Sequence, residues 1–236
     1  MDIELPILNS IKSYPVRPSK IIALGLNYRE HIEEIPSVNI KGVTGEIPKE
    51  PVLFPKTPNV LIPDGAPIVI PRFLKDYQFE NFRVDYEAEL AFFIKDQCKS
   101  VPAEEAYDHI FGFTCMNDVS QRNIQSADVS GWFRGKSLDT FGPIGPEIVR
   151  TEDLPDPQNL IIQCRLNGKL VQDSNTRFMI FPIREIVAFI SKNFTLMPGD
   201  LILTGTPLGV GPLHHGDVVE VEIQHIGKLV NPVQEA

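Results

Sequence analysis

The stretch Val84-Asp85-Tyr86-Glu87-Ala88-Glu89-Leu90-Ala91-Phe92-Phe93-Ile94 decides how this chain is read. It has the alternating character of a β-strand, in which residues two apart project to the same face. Glu87 and Glu89 therefore stand side by side. Two carboxylates held that close repel each other unless a proton or a cation sits between them. A second strand-like run, Gly112-Phe113-Thr114-Cys115-Met116-Asn117-Asp118, ends in a third carboxylate. Three hard oxygen donors with no softer donor nearby suit Mg²⁺, Mn²⁺ or Ca²⁺ better than zinc. The plain alternative is a solvated strand face with one Asp in a turn. The apolar run flanking the pair argues that these positions are not simply surface.

Working outward, 236 residues suffice for one large domain, and 42% hydrophobic with 22% charged residues is an ordinary globular composition. A net charge of -9 argues against nucleic acid or an anionic membrane as partner. No run of eighteen apolar residues occurs, and Met1-Asp2-Ile3-Glu4-Leu5-Pro6 lacks a basic and apolar leader, so a cytoplasmic location is expected. Cys98, Cys115 and Cys164 are odd in number and far apart, with no Cys-x-x-Cys, and are expected to form neither a disulfide framework nor a zinc site. Cys115 and Cys164 lie in apolar runs and read as core residues.

Twenty-one prolines favour short strands joined by stiff turns. Strands are predicted at 21–24, 68–70, 90–94, 112–116, 160–166, 201–203 and 218–223. Asn167-Gly168 predicts a type I′ hairpin. One helix is predicted at about 103–111, closed by Gly112. A second is predicted at about 183–192 with Pro182 at its start, because Ile183, Ile186, Val187 and Ile190 follow helical spacing. A shorter helix is expected at 28–34. The following residues, 37–50, carry no period and read as a mobile lid or a plain connection.

Three further constellations carry chemistry. If the chain after Asp118 turns helically, Asp118, Arg122 and Gln125 share a face, and Arg122 is either an ion-pair partner of Asp118 or a ligand-binding cation. Lys136 follows a glycine in an aromatic stretch, where a lysine needs a partner or a ligand. On a helix His31 and Glu34 are neighbours, so the carboxylate can orient the imidazole as a general base. The turn Thr204-Gly205-Thr206-Pro207 after a strand offers hydroxyls and N–H groups to an anion, and lacks the Lys of a P-loop.

Taken together, these motifs resemble the fumarylacetoacetate hydrolase superfamily. The matching stretches are Asn27-Tyr28 with His31 and Glu34, Pro51 through Lys56, Asp85 through Leu90, Asn117 through Ser120 with Arg122 and Gln125, Gly135 through Phe141, and Gly199-Asp200 through Gly211. They cover roughly residues 20–230 in the family's order, and look most like the short branch of acylpyruvate hydrolases and oxaloacetate decarboxylases. The resemblance implies an α+β, β-rich fold, a mixed-sheet β-roll with short peripheral helices. It implies one catalytic domain over 1–236, with 1–20 as an extension and 28–50 as a possible lid, usually in a homodimer. It further implies Mg²⁺ or Mn²⁺ on Glu87, Glu89 and Asp118, catalysis by His31, Glu34 and Lys136, and substrate contacts from Arg122, Gln125 and Thr206. Asn123 stands where many members carry an acid, and Asp85 where some carry His.

The implied reaction is hydrolysis of a C–C bond in a small 2,4-dioxo acid through a metal-bound enolate. His31, assisted by Glu34, would activate water, and Lys136, Arg122 and Gln125 would stabilise the oxyanion. Alternatives are oxaloacetate decarboxylation, which needs no water, hydratase or isomerase chemistry, and a metal-binding structural domain without turnover. In each enzymatic reading the partner is a small anionic oxo acid.

Overall fold

The computed structural model describes residues 3–32, 46–129 and 131–236. Its centre is a seven-stranded mixed sheet. In spatial order the strands are Val52–Lys56, Ile21–Gly25, Leu201–Leu203, Ala88–Ile94, Ile110–Asn117, Gly142–Arg150 and Leu61–Ile62. Leu201–Leu203 runs parallel to Ile21–Gly25 and antiparallel to Ala88–Ile94. A five-stranded sheet packs beside it, ordered Lys169–Asn175, Ile161–Leu166, Val218–Ile223, Gly227–Glu235 and Ile68–Ile70. Its first hairpin turns at Asn167 and Gly168, both with positive φ (53° and 79°), as a type I′ turn requires.

The decisive stretch is not one strand. It divides at Glu87 into Val84–Tyr86, which joins a small sheet with Ser120–Gln121 and Gly211–Pro212, and Ala88–Ile94 in the central sheet. The alternation in Ala88–Ile94 also differs from the expected core-against-solvent pattern, since all seven residues are buried. Ala88, Leu90, Phe92 and Ile94 enter the larger apolar cluster, while Ala91 and Phe93 enter a second on the opposite face. Ile22 and Leu24 against Ile21 and Ala23, and Ile202 against Leu201 and Leu203, divide the same way. The sheet is thus sandwiched, and a side chain's parity decides which core it meets. Glu89 shares its parity with Ala91 and Phe93 and lies toward the second cluster.

Helices are short. Ile183–Asn193 forms as predicted, its buried side including Ile183, Ile186, Val187 and Ile190, with Pro182 at the N-cap rather than inside the first turn. The expected helix at 103–111 is instead a 3₁₀ helix, Ala103–His109, and Gly112 lies within a strand. There a Cβ would meet Val149 O at 2.6 Å, so Gly112 is required by strand packing rather than as a cap. Cys98, Cys115 and Cys164 are all buried free thiols.

Candidate metal centre and its surroundings

Glu87 occupies the break between two strands, Glu89 is the second residue of the central strand Ala88–Ile94, and Asp118 follows directly on its antiparallel neighbour, Ile110–Asn117. Register explains their meeting. Ala88 pairs with Asn117 and Glu89 with Met116, and the Asp118 N–H donates to the Glu87 carbonyl at 2.9 Å. One carboxylate oxygen from each residue lies within 4.8 Å of the others, and all three residues are buried.

Cations are packed directly around them. Lys136 Nζ donates to Glu87 Oε2 and to Asp118 Oδ2, each at 2.6 Å, and sits 5.0 Å from the centre of the Phe54 ring. Lys56 Nζ lies 2.6 Å from Asp118 Oδ1 and donates to the Lys136 carbonyl. Arg122 Nη2 lies 2.5 Å from Glu87 Oε1, while its Nε donates to Asp85 Oδ2 at 2.8 Å. Arg122 therefore pairs with Glu87 and Asp85, not with Asp118 as one reading of its spacing had it. Asp118 is not part of a helix; the short strand Ser120–Gln121 intervenes before the helix Arg122–Ala127. Within that helix's first turn Arg122 Nη1 donates to Gln125 Oε1 at 3.1 Å.

These charges respond differently to burial. Burial alone would raise the Glu87 pKa, but Lys136, Arg122 and His31 outweigh it and hold Glu87 well below the ordinary carboxylate range. Glu89 is pushed well above that range by burial and by the charges of Asp118 and Glu87, against the pull of Lys136 and of the Gly205 N–H. Burial also works against the Lys136 ammonium, yet Asp118 and Glu87 raise its pKa. Lys56 is lowered by burial despite Asp118. Glu89 is thus the carboxylate that most needs a proton or a cation.

The donor set fits a hard divalent ion. It is all carboxylate and it converges, one oxygen from each of three buried residues lying within 4.8 Å of the others. Four buried carboxylates (Asp85, Glu87, Glu89, Asp118) face three buried cations (Lys56, Lys136, Arg122) and the part-buried Arg83 on Asp85, four charges of each sign. A divalent ion would make the cluster net positive, as an anionic ligand requires.

A cavity of about 20 Å³ beside the carboxylates is bounded by His31, Arg122, Gln125, Lys136 and Thr206 among others, so the structure brings these residues together with Glu87 and Glu89. His31 is buried in a helical turn that starts at Arg29; Glu34 lies outside the described residues, as does most of 37–50. The Thr-Gly-Thr-Pro turn points inward differently from expectation. Its Gly205 N–H donates to Glu89 Oε2 at 2.7 Å, and Thr206 Oγ1 accepts from Gln172 Nε2 at 3.0 Å.

Several site residues were not singled out from the sequence. Lys56 ends a Pro-rich strand in a setting as apolar as that of Lys136, and the same reasoning applied to it would have flagged it. Asp85, counted only as a departure from relatives, is fully buried between Arg122 and Arg83, one contact from the carboxylate cluster. Gln172, whose Oε1 accepts from the Ala88 N–H at 3.0 Å, reaches the site from a distant hairpin and left no local signal. Trp132 packs on Gly25 and lies edge-on to Phe54, with ring centres 5.4 Å apart.

Comparison with known proteins agrees with this architecture. The family model "Fumarylacetoacetate (FAA) hydrolase C-terminal" matches residues 20–234. The mitochondrial oxaloacetate tautomerase of Xenopus laevis is 43% identical, over 92% of this chain and 66% of its own length. The structure of fumarylpyruvate hydrolase from Pseudomonas aeruginosa, in complex with Mn²⁺ and pyruvate, superposes with a TM-score of 0.86 at 27% identity, covering 100% of this chain and 97% of that one. Maleylpyruvate hydrolase from Sphingobium sp. SYK-6, with manganese(II) and pyruvate, gives a TM-score of 0.77 at 32% identity, covering 94% and 72%. With its mixed sheets and short helices, the chain belongs to the fumarylacetoacetate hydrolase family.

Proposed function

We propose that the chain is a Mg²⁺- or Mn²⁺-dependent enzyme of small 2-oxo acids, and that it hydrolyses a C–C bond in a 2,4-dioxo acid of the acylpyruvate or fumarylpyruvate type. The observation that carries this reading is that His31, Lys136, Arg122, Gln125 and Thr206 bound the same small cavity as Glu87 and Glu89, with Asp118 completing the carboxylate cluster. Glu87, Glu89 and Asp118 would hold the ion, which supplies Lewis-acid stabilisation of charge on the substrate's carboxylate and 2-oxo oxygens.

The remaining chemistry falls to the side chains. His31 takes a proton from water as its oxygen adds to the distal carbonyl. Lys136 and Arg122, held by their ion pairs, stabilise the resulting oxyanion. Gln125 accepts from Arg122 through Oε1, which leaves its amide N–H groups to donate to substrate. Thr206 accepts from Gln172, leaving its hydroxyl proton for the same use. The C–C bond then breaks with its electron pair passing to the pyruvate fragment as an enolate, and protonated His31 returns the proton to that carbon. The products are a carboxylic acid and pyruvate.

A second reading, keto–enol conversion of oxaloacetate, is favoured by the higher identity to the tautomerase than to either hydrolase. It uses His31 as the proton carrier and needs no water. One assay separates them: acylpyruvates, fumarylpyruvate and oxaloacetate are each incubated with the protein in Mg²⁺ and in EDTA, and pyruvate and the enol absorbance are followed. Hydrolysis releases pyruvate with an acid from a dioxo acid, and decarboxylation releases pyruvate with CO₂. Tautomerisation changes the enol absorbance without pyruvate. If EDTA alters none of these signals, the metal-dependent reading fails.

A further inference from the structure

At the opposite ends of the two strands that bring the carboxylates together lies a second convergence of ligating atoms. Ala88–Ile94 and Ile110–Asn117 are antiparallel neighbours, with the Glu87, Glu89 and Asp118 cluster at one end. Beyond the other end, Asp96 and Cys98 leave the first strand and His109 leads into the second. A carboxylate oxygen of Asp96, a ring nitrogen of His109 and the Cys98 sulfur lie within 4.8 Å of one another. Seven residues of extended chain separate Glu89 from Asp96, about 20 Å, so the two convergences are distinct.

We propose that Asp96, Cys98 and His109 form a second metal site, for a borderline-soft divalent cation such as Zn²⁺, separate from the hard-ion site.

The backbone fixes these residues on both sides. The Lys95 N–H donates to the His109 carbonyl at 2.9 Å. Cys98 and Leu196 exchange two backbone hydrogen bonds of 3.1 and 2.9 Å. The ligating atoms are close to what the ion demands: bond lengths of 2.0–2.3 Å in a tetrahedron put ligand atoms roughly 3.3–3.8 Å apart. Small side-chain rotations close the remaining difference. The Asp96 side chain is half exposed and His109 half-buried, which gives a path from solvent to the buried sulfur. His109 Nδ1 and Asp96 Oδ1 are hydrogen-bonded at 2.6 Å; the cation would take that position with the imidazole proton carried on Nε2, and the thiol proton of Cys98 would leave to solvent. Carboxylate plus thiolate then neutralises the ion, and water completes the tetrahedron. The mixture of donors distinguishes the two sites: sulfur and imidazole select the softer ion, carboxylates alone the harder one. Cysteine spacing does not reveal such a site, because only one of its three ligands is a cysteine.

Co²⁺ serves as the spectroscopic probe. Protein saturated with Mg²⁺ is titrated with Co²⁺, and the thiolate-to-cobalt charge-transfer band in the near ultraviolet is followed. The band is expected, and Zn²⁺ should abolish it by displacement. Cys98→Ser should remove it, and His109→Asn should weaken binding about tenfold or more. Both should leave Mg²⁺-supported turnover unchanged, and Glu89→Gln should keep the band. Absence of a sulfur band in the parent protein, or identical titrations of parent, Cys98→Ser and His109→Asn, would overturn the site and leave Asp96 and His109 as an ion pair only.

Discussion

Glu89 and Lys136 sit in one buried charge cluster yet play opposite parts in its balance. Glu89 is the carboxylate least content to be charged. Glu89→Gln should therefore cost the metal-free fold little while abolishing most Mg²⁺ or Mn²⁺ affinity, measured by calorimetry beside thermal melts. A variant that binds the ion normally would remove Glu89 from the ligand set. Lys136→Met does the reverse. It leaves Glu87 with Arg122 and Asp118 with Lys56 but removes their shared ammonium, so the loss should fall short of the about 3–5 kcal/mol of a buried charge left with no partner. Because the ion replaces the missing charge, Mn²⁺ should recover much of that stability but not the turnover. Normal turnover in this variant would make Lys136 a structural partner only. For the base, His31→Ala should lower kcat on a 2,4-dioxo acid by about 10²-fold or more under the hydrolytic reading. An unchanged kcat would take His31 out of the mechanism.

At the scale of elements, Lys136 is delivered by the four-residue helix Phe133–Lys136, and Gly135 is what lets that helix approach. A Cβ at Gly135 would lie 2.7 Å from Gln125 N and 2.8 Å from Gln121 O, both backbone atoms that have no flexible side chain to yield. Gly135→Ala should push the helix from its neighbour, misplacing Lys136 by enough to cost turnover about 10²-fold, with a smaller change in Tm. Equal kcat in the two proteins would show that the helix has slack. The same elements show what the sequence could and could not display. Asn167-Gly168 was legible because its turn geometry is decided by the two residues themselves. Ile183–Asn193 was legible because one helix face alone meets the core. The strand carrying Glu89 was only half legible, since alternation between two apolar cores looks locally like alternation between core and solvent. The break at Glu87 was invisible, being imposed by partners as remote as Ser120 and Gly211. The three carboxylates were legible as a set because two are neighbours and the third ends the adjoining strand. Lys56 and Gln172 reach the site through pairing at long range, which no local pattern encodes.

For the molecule as a whole, the buried carboxylate cluster links stability to pH. Glu89 has its folded pKa raised, so its contribution to stability is fully present below the unfolded carboxylate value and is lost as pH rises through its raised value. Glu87 has its folded pKa depressed, so its contribution is present above the unfolded value and is lost as pH falls through its depressed value. An ion held by Glu89 would displace its proton, and so would bind more tightly, and stabilise more, as pH rises. The stabilisation by a fixed concentration of Mn²⁺, read as a shift in Tm, should therefore grow as pH rises above the ordinary carboxylate range, and corresponds to ~2.7 kcal/mol where the ion stands at a hundred times its Kd. A shift that shrinks as pH rises there would contradict the raised Glu89.

Trp132 is the chain's sole tryptophan, and it forms part of the wall of the cavity beside Glu87 and Glu89. All indole emission from this protein therefore originates at the wall of that cavity, and the molecule carries its own optical reporter. Paramagnetic Mn²⁺ should quench that emission while diamagnetic Mg²⁺ leaves it bright, and a seated oxo acid should shift its wavelength. Trp132→Phe removes the indole emission and supplies the blank. Occupancy of metal and substrate can then be followed in unlabelled protein, in stopped flow, before any product has formed.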